Sequence, residues 1–264
     1  DHPPQPQRRL KMNFLRHFLL AVQFFTRIPV TGKLAAWVGY SPAMLRASAA
    51  HFPAMGWIVG GASAGVFVVL CELLPNQEAR FWVASIFSTA LSVMLTGAFH
   101  EDGLADTADG LGGGFTRERA LEIMKDSRIG TYGAMALVLA VLAKISLLVL
   151  LAQMHLTWAV WGLFAAHVVS RYTPLWLIRC LVHVGDTPQS KSKPLADSIG
   201  LSGLVAGGLW WLLAMGLAAF FLPEGALLAA VLAAFAAAAF MGWRLHQRLQ
   251  GYTGDGLGAA QQLS

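Results

Sequence analysis

The feature that most constrains this chain is a set of six long stretches that are almost free of charge. They cover residues 52–74, 81–99, 133–153, 156–178, 199–222 and 225–243, each close to the ~20 apolar residues that cross a bilayer as a helix. Charged residues make up only 12% of the chain, about half the usual share, which excludes a soluble globular domain. The sequence predicts an all-α fold: a polytopic transmembrane helical bundle with about six spanning helices.

Basic residues are distributed unevenly between the two ends of these spans. The three shortest connectors hold one cation, Arg80, whereas 16 of the 19 lysines and arginines lie in the N-terminal segment, the 100–132 and 179–198 connections and the tail. Because cytoplasmic segments carry an excess of Lys and Arg, we expect both termini and the charged loops to face the cytoplasm. The net charge of +5 then reflects orientation, and we expect no nucleic acid as a partner.

Residues 13–28 carry apolar side chains at helical spacing, with Arg16, Gln23 and Arg27 on the opposite stripe. This pattern is typical of an amphipathic helix that lies in the membrane interface or re-enters it; a short seventh span is the alternative. We expect residues 1–12 to be a disordered tail or a remnant foreign to the native protein. Residues 13–264 are expected to form one integral-membrane catalytic domain.

The charge that this chain otherwise avoids is concentrated in one segment, where seven of the fourteen carboxylates fall within 26 residues. Asp102, Asp106 and Asp109 are spaced i, i+4 and i+7, so a helix through them projects all three from one face. Their mutual repulsion requires a counter-charge, and carboxylate oxygens suit Mg²⁺. We therefore expect these three residues to bind magnesium; helix caps and Asp-Gly turns in a solvated loop are the alternative.

Other residues near this cluster are candidates for catalysis or phosphate binding. His100 could transfer a proton, orient a partner or be purely structural. Gly113, within a triple glycine, could let a phosphate approach the backbone or could serve as a hinge. Lys125 and Arg128 could clamp a phosphate or anchor the following span.

Two candidates lie far from the cluster in sequence. Arg171, inside a span, is expected to meet a phosphate or to form a buried pair. Asp255 is expected to line the site, with a helix-ending turn as the alternative.

Carboxylates, Mg²⁺ and cations on one side of a membrane bundle together predict a phosphoryl or nucleotidyl-phosphate transferase. We expect the loop at 183–198 to act as a lid.

Five segments of the chain closely resemble the cobalamin synthase family, the adenosylcobinamide-GDP ribazoletransferases. The acidic segment HEDGLADTADG (100–110) is the most specific, and it follows the family's pattern without departure. The others are FFTRIP (24–29), FPAMGWIVG (52–60), KDSRIGTYG (125–133) and YTGDGLGA (252–259). The resemblance extends from about residue 13 to the C-terminus.

The resemblance implies a Mg²⁺-dependent enzyme of the bacterial inner membrane that performs the last step of cobalamin assembly. It would transfer the cobinamide phosphate from adenosylcobinamide-GDP to α-ribazole or α-ribazole 5′-phosphate and release GMP. Asp102, Asp106 and Asp109 would hold the metal, with Glu101 as a base or a further ligand. A homo-oligomer, or association with other corrinoid-pathway enzymes, could accompany this activity.

Two other functions compete with this interpretation. A CDP-alcohol phosphotransferase that makes phospholipid would share the Asp-Gly-x-Ala core at 102–105, but it requires an arginine soon after the first Asp-Gly, and none is present here. A membrane transporter would place its ion-binding carboxylates in the middle of a span, whereas this cluster follows a span.

Overall fold

The structure, a computed structural model, describes the backbone of residues 6–184 and 198–264, and side chains from residue 13 onward. The loop predicted as a lid lies almost wholly outside these residues. The described part is helical, with one isolated bridge between His183 and Tyr252 and no strand, which confirms the all-α fold. Its helices are α1 (Pro6–Phe25), α2 (Gly32–Val38), α3 (Pro42–Ser48), α4 (Phe52–Leu73), α5 (Ala79–Thr96), α6 (Phe99–Gly113), α7 (Arg117–Ile123), α8 (Thr131–Met154), α9 (Leu156–Cys180), α10 (Leu201–Ala218), α11 (Glu224–Leu249) and α12 (Gly254–Leu263).

Five helical segments are long and apolar enough to cross a membrane: Pro42–Leu73, α5, α8, α10 and α11. The first joins α3, a short 3-10 turn and α4 into one continuous run. Large apolar side chains such as Leu139, Leu142 and Leu213 are exposed on the outside of the bundle. An exposed apolar surface of this kind is typical of a protein that contacts lipid tails.

One predicted span, 156–178, is absent from these five. It corresponds to α9, which lies at the centre of the bundle. Its 25 residues extend over about 37 Å, which is enough to cross a bilayer. It is not among the five apolar segments, because His167, Ser170 and Arg171 interrupt its apolar sequence. These side chains are buried, since α9 packs against α4, α8, α10, α11 and α12. The polar groups of this helix therefore face protein.

Glycines allow α4 to approach α9 closely. A Cβ atom at Gly56 would overlap the backbone of His167, and one at Gly60 would lie 2.8 Å from the Cβ of His167. Small residues at such contacts let membrane helices associate by close van der Waals packing. Gly61 and Gly65, on another face of α4, would meet nothing within 4 Å.

The first helix begins earlier than the sequence predicts. α1 starts at Pro6, so this helix includes residues 6–12 of the segment expected to be a disordered tail or a remnant. Arg, Leu, Lys and Met in this stretch are good helix formers, and proline is favoured at the first helical position because its missing N–H would have no partner there. Leu20, Ala21 and Phe25 of α1 are buried, and the helix contacts α2, α3 and α4. Its apolar stripe therefore packs on the bundle.

The acidic segment forms its own helix after the second span. α5 ends at Thr96, and Gly97 and Ala98 then take left-handed φ values of 67° and 59° before α6 begins. Thr96, Glu101 and Ala140 line one cavity. Ala140 lies about 14 Å along α8 from its first residue. α6 therefore begins beside the middle of α8 and runs back along its first half.

Candidate active site

α6 buries most of its surface but leaves one open strip with two of the three predicted metal ligands. Asp102 is exposed and Asp106 is half-buried. The two residues are four apart and so lie on one helical face; we call this pair the acidic strip. Neither side chain has a hydrogen bond or an ion pair within the described part of the chain. The acidic strip therefore offers free carboxylate oxygens to a cation.

Asp109, the third predicted ligand, is only 7% exposed and lies against the start of α8. Its carboxylate accepts hydrogen bonds from the backbone amides of Gly130, at 2.7 Å, and Gly133, at 2.8 Å. Amides at the start of a helix have no acceptor within the helix, and the helix dipole favours negative charge there. Asp109 therefore caps α8. Both oxygens of Asp109 are engaged by this cap, which matches the helix-cap alternative, and its place among the metal ligands stays a prediction.

The electrostatics of the acidic strip favour a divalent cation. Burial, and then the charges of Asp102 and Asp109, raise the pKa of Asp106 from 3.8 to about 6. A cation beside Asp106 would oppose this shift, because it stabilises the ionised carboxylate.

The donor chemistry of the acidic strip fits Mg²⁺. This ion is commonly held by one or two carboxylates and completes its shell with water and substrate phosphates. Asp102 and Asp106 supply two such carboxylates. Within residues 6–184 and 198–264, no group of three or more His, Cys, Asp or Glu side chains is arranged to hold a metal. Water and substrate phosphates are the ligands that would commonly complete the shell of Mg²⁺ held by these two carboxylates.

A cavity of about 390 Å³ lies at the break between α5 and α6 and joins Asp102 to the end of α1. Arg27 is in its wall, and the guanidinium lies so close to Gly97 that a Cβ atom there would overlap it. From the sequence, Arg27 is only one polar residue of an amphipathic helix. Its position in the motif at 24–29 is the signal that could have singled it out.

His100 and Glu101 line a second cavity, of about 330 Å³, between α5, α6, α8, α9 and α12, which we call the inner cavity. His100 is 2% exposed; burial, followed by the charge of Arg171, lowers its pKa well below the usual value, so the ring is neutral. One oxygen of Glu101, Oε1, accepts a hydrogen bond of 3.0 Å from Nε2 of Gln262. Of the five residues predicted to be catalytic, His100 and Glu101 therefore line this inner cavity, on another side of α6 from Asp102 and Asp106.

Arg171 lines the same inner cavity and is 2% exposed. Its Nη1 donates to the His167 carbonyl at 2.9 Å, and its guanidinium lies 5.8 Å from the centre of the Phe52 ring. Lys144 lines the cavity as well and donates to the Ser92 hydroxyl at 3.5 Å. Whether Arg171 meets a phosphate or forms a buried pair stays a prediction.

The basic segment before α8 is exposed, and in the described structure its cations form no ion pair with the acidic strip. Arg128 forms an ion pair of 2.6 Å with Asp126, its neighbour two positions away. Lys125 is exposed just after α7. In this structure Arg128 thus has a local carboxylate partner, and a phosphate would have to compete with Asp126 for its guanidinium.

The triple glycine ends α6. Gly113 is exposed in the last turn, and the amide of Gly114 donates to the Gly110 carbonyl at 3.0 Å. Arg248 donates to the carbonyls of Leu111, at 3.0 Å, and of Gly114. The glycines therefore form a helix end that Arg248 caps, and the Gly114 amide is already paired. Nothing in the sequence pattern singles out Arg248 for this role.

The C-terminal helix α12 packs against α6. A Cβ atom at Gly103 would lie 2.8 Å from the carbonyl oxygen of Asp255 and 3.2 Å from the Cα of Gly258. The fold thus brings Asp255 beside the acidic motif, although the two are far apart in sequence. Its role as a site residue stays a prediction.

Comparison with known proteins identifies the family. The chain matches the family model of cobalamin-5-phosphate synthase over residues 17–264. Adenosylcobinamide-GDP ribazoletransferase of Albidiferax ferrireducens is 53% identical over 95% of this chain and 94% of its own length, and that of Polaromonas naphthalenivorans is 53% identical over 96% and 95%. The Vibrio cholerae protein of the same name is 45% identical over 94% of the chain and 90% of its own length. No solved structure matches. The chain belongs to the cobalamin-5-phosphate synthase family.

Proposed function

We propose that this protein transfers adenosylcobinamide phosphate from adenosylcobinamide-GDP to α-ribazole, or to α-ribazole 5′-phosphate, and releases GMP. This reaction is the final step of cobalamin biosynthesis. The observation that carries the proposal is the family match over residues 17–264, with relatives at 53% identity that bear the name of this transferase. The acidic strip adds chemical support, because transfer from a diphosphate requires its negative charge to be neutralised.

We propose Mg²⁺ as the cofactor, held by Asp102 and Asp106 together with phosphate oxygens of the substrate. When bound, the ion would neutralise charge on the diphosphate and on the departing GMP. Asp109 contributes by position. Its cap on the first turn of α8 fixes α6 against that helix and so fixes where Asp102 and Asp106 point.

The acceptor hydroxyl must lose a proton as it attacks phosphorus, and two carboxylates are candidates for accepting it. Glu101 has an oxygen, Oε2, without a partner among the described residues, but it faces the inner cavity. It can serve as the base only for an acceptor that enters from that cavity. Asp106 lies on the acidic strip itself and is the second candidate, since a cation bound beside it would keep its carboxylate ionised. We expect Glu101→Gln to separate the two cases, because it leaves the acidic strip intact.

We propose the bacterial inner membrane as the location, with both termini and the active side in the cytoplasm. Five apolar helices support a multi-pass protein. The concentration of 16 of the 19 cations in the N-terminal segment, the two long connections and the tail supports the orientation. Assembly as a homo-oligomer, or with other corrinoid-pathway enzymes, stays a prediction.

The reaction can be tested with purified protein in detergent. Supplied with adenosylcobinamide-GDP, α-ribazole and Mg²⁺, it should form GMP and adenosylcobalamin in equal amounts, measured by liquid chromatography. Asp106→Asn should abolish both products while the helical circular dichroism signal persists. Glu118→Gln, which removes an exposed charge on α7, is the matched control and should stay active.

Two results would contradict this function. Consumption of CDP-diacylglycerol and an alcohol, without GMP release from the corrinoid substrate, would identify a phospholipid-synthesising enzyme. Ion or corrinoid uptake into sealed vesicles, without any GMP, would identify a transporter.

A further inference from the structure

We propose that the cavity at the break between α5 and α6 is a diphosphate site, in which Arg27 binds the phosphate groups of a nucleoside-diphosphate ester. The identity of that ester rests on the proposed function, but the anion site itself does not. The cavity is distinct from the inner cavity that holds Glu101 and Arg171, although the two share Thr96 in their walls.

The wall of the cavity combines one cation and one carboxylate with small polar groups. Its polar lining includes Gln23, Thr26, Arg27, Thr96 and Asp102, together with the backbone of Gly97. The volume, about 390 Å³, lies within the range of small-molecule sites.

Three hydrogen bonds hold the backbone around Arg27 in place. Its backbone amide donates to the Leu95 carbonyl at 2.6 Å, which ties the end of α1 to the last turn of α5. The preceding hydroxyl, of Thr26, donates to the Val22 carbonyl at 2.7 Å and accepts from the Ile28 amide at 3.1 Å. The chain on both sides of Arg27 is therefore held, and its guanidinium is directed over Gly97, where a side chain would overlap it.

The guanidinium of Arg27 has no protein partner in the described residues. It forms no ion pair with Asp102, although both line the cavity. An arginine held in place without a carboxylate partner can bind a phosphate through two parallel hydrogen bonds. A lysine would act there only as a point charge.

Asp102 determines which anion the cavity accepts. Its negative charge repels a bare phosphate, so an anion gains from the site only when it brings a divalent cation that Asp102 can coordinate. A diphosphate that carries a divalent cation can make two contacts here. One phosphate can bind the guanidinium of Arg27, and the cation bound to the diphosphate oxygens can bind Asp102. A monovalent carboxylate or a sulfate lacks the second contact. The geometry therefore selects a metal-chelated diphosphate.

The test measures binding of inorganic pyrophosphate and of GDP to the purified full-length protein by calorimetry, with and without Mg²⁺. We expect wild-type protein to bind both ligands only with Mg²⁺. Arg27→Ala should weaken binding about 10- to 100-fold, as expected for the loss of a charge-assisted hydrogen-bond pair. Arg27→Lys should recover part of the affinity, and Lys33→Ala, which removes an exposed cation on α2 outside the cavity, should change nothing. Circular dichroism and gel filtration show whether each variant is folded.

Activity measurements separate this inference from the proposed function. If both are right, Arg27→Ala raises the KM for adenosylcobinamide-GDP and leaves the KM for α-ribazole unchanged. If wild-type protein turns over and Arg27→Ala or Arg27→Lys binds pyrophosphate and GDP as wild type does, the inference is wrong and the function stands. If pyrophosphate binding depends on Arg27 and Mg²⁺ but no GMP forms from the corrinoid substrate, the site stands and the proposed function is wrong.

Discussion

The carboxylate of Asp109 accepts a hydrogen bond of 2.8 Å from the backbone amide of Gly133, across 24 residues of sequence. Its other oxygen accepts from Gly130 at 2.7 Å. Both glycines are needed for this approach, because a Cβ atom at either one would overlap the Asp109 carboxylate. A residue of the acidic motif thus serves as the N-terminal cap of a membrane-spanning helix, and the motif combines a structural carboxylate with two free ones.

We predict that Asp109→Asn destabilises the protein by about 1–3 kcal/mol, the usual cost of an unpaired buried polar group. The amide side chain offers one acceptor oxygen, and its NH₂ group then faces a backbone N–H that has no other acceptor. Denaturant unfolding in detergent measures the loss. Asp102→Asn is the control, since Asp102 is exposed and unpaired in the described structure, and it should leave the stability unchanged. Equal stability of the Asp109 and Asp102 variants would contradict the cap.

We predict that stabilisation by Mg²⁺ depends on pH around the pKa of Asp106. The folded-state pKa, about 6, lies above the ordinary value of 3.8, so the folded protein retains the proton longer than the unfolded chain does. Metal-free protein should therefore lose stability as the pH rises from 3.8 to about 6. Mg²⁺ binds the ionised carboxylate and should raise the melting temperature above this window but not below it.

Asp106→Asn provides the matched control for this pH dependence. The variant has no group that titrates at this position, so thermal unfolding should show neither the decline across this window nor the stabilisation by Mg²⁺. A Mg²⁺ effect of the same size on both sides of pH 6, or one that persists in Asp106→Asn, would count against a metal at the acidic strip.

We predict that Gly56→Ala destabilises the contact between α4 and α9 by about 1–3 kcal/mol, the typical cost of overpacking. The added methyl group would overlap the backbone of His167, which cannot move without displacing the whole helix. Gly61→Ala and Gly65→Ala are the matched controls on α4, where a Cβ atom meets nothing within 4 Å. Melting temperatures of the three variants in one detergent should place Gly56→Ala clearly below the other two. The same melting temperature for all three would show that α4 and α9 are not packed as described.

We predict that Ala98→Gly stabilises the protein by about 0.5–1 kcal/mol. Ala98 has a φ of 59°, in the left-handed region where a Cβ atom is unfavourable and glycine is not strained. Gly97→Ala should have the opposite effect, because residue 97 has a φ of 67° and its Cβ atom would overlap Arg27. Unfolding by denaturant compares the two variants, and a loss of stability in Ala98→Gly would contradict the helix break.

The positions of the spans could be predicted from the sequence, since a run of apolar residues can lower its free energy in a bilayer only as a helix whose backbone groups pair internally. The helical spacing of Asp102 and Asp106 is likewise a local property, and their shared face is confirmed. Helix capping was the alternative for all three aspartates, but which of them caps a helix could not be predicted, because Gly130 and Gly133 reach Asp109 only through the packing of α6 on α8.

The arginines likewise show the difference between what local sequence predicts and what helix packing decides. Arg27 and Arg171 are similar in sequence terms, as single cations beside apolar residues. The Arg27 side chain is exposed and lines the cavity beside Asp102, whereas Arg171 is 2% exposed among the helices of the bundle.

The sequence by itself therefore determined the membrane class of the protein, its family and the helix that carries its carboxylates, because these depend on residue type and on spacing within one segment. The tertiary structure decided which carboxylates remain free, which arginine can reach them and which polar groups are enclosed. Those outcomes depend on contacts between helices that are distant in sequence, where a cap or a glycine contact on one helix determines what the next helix can expose.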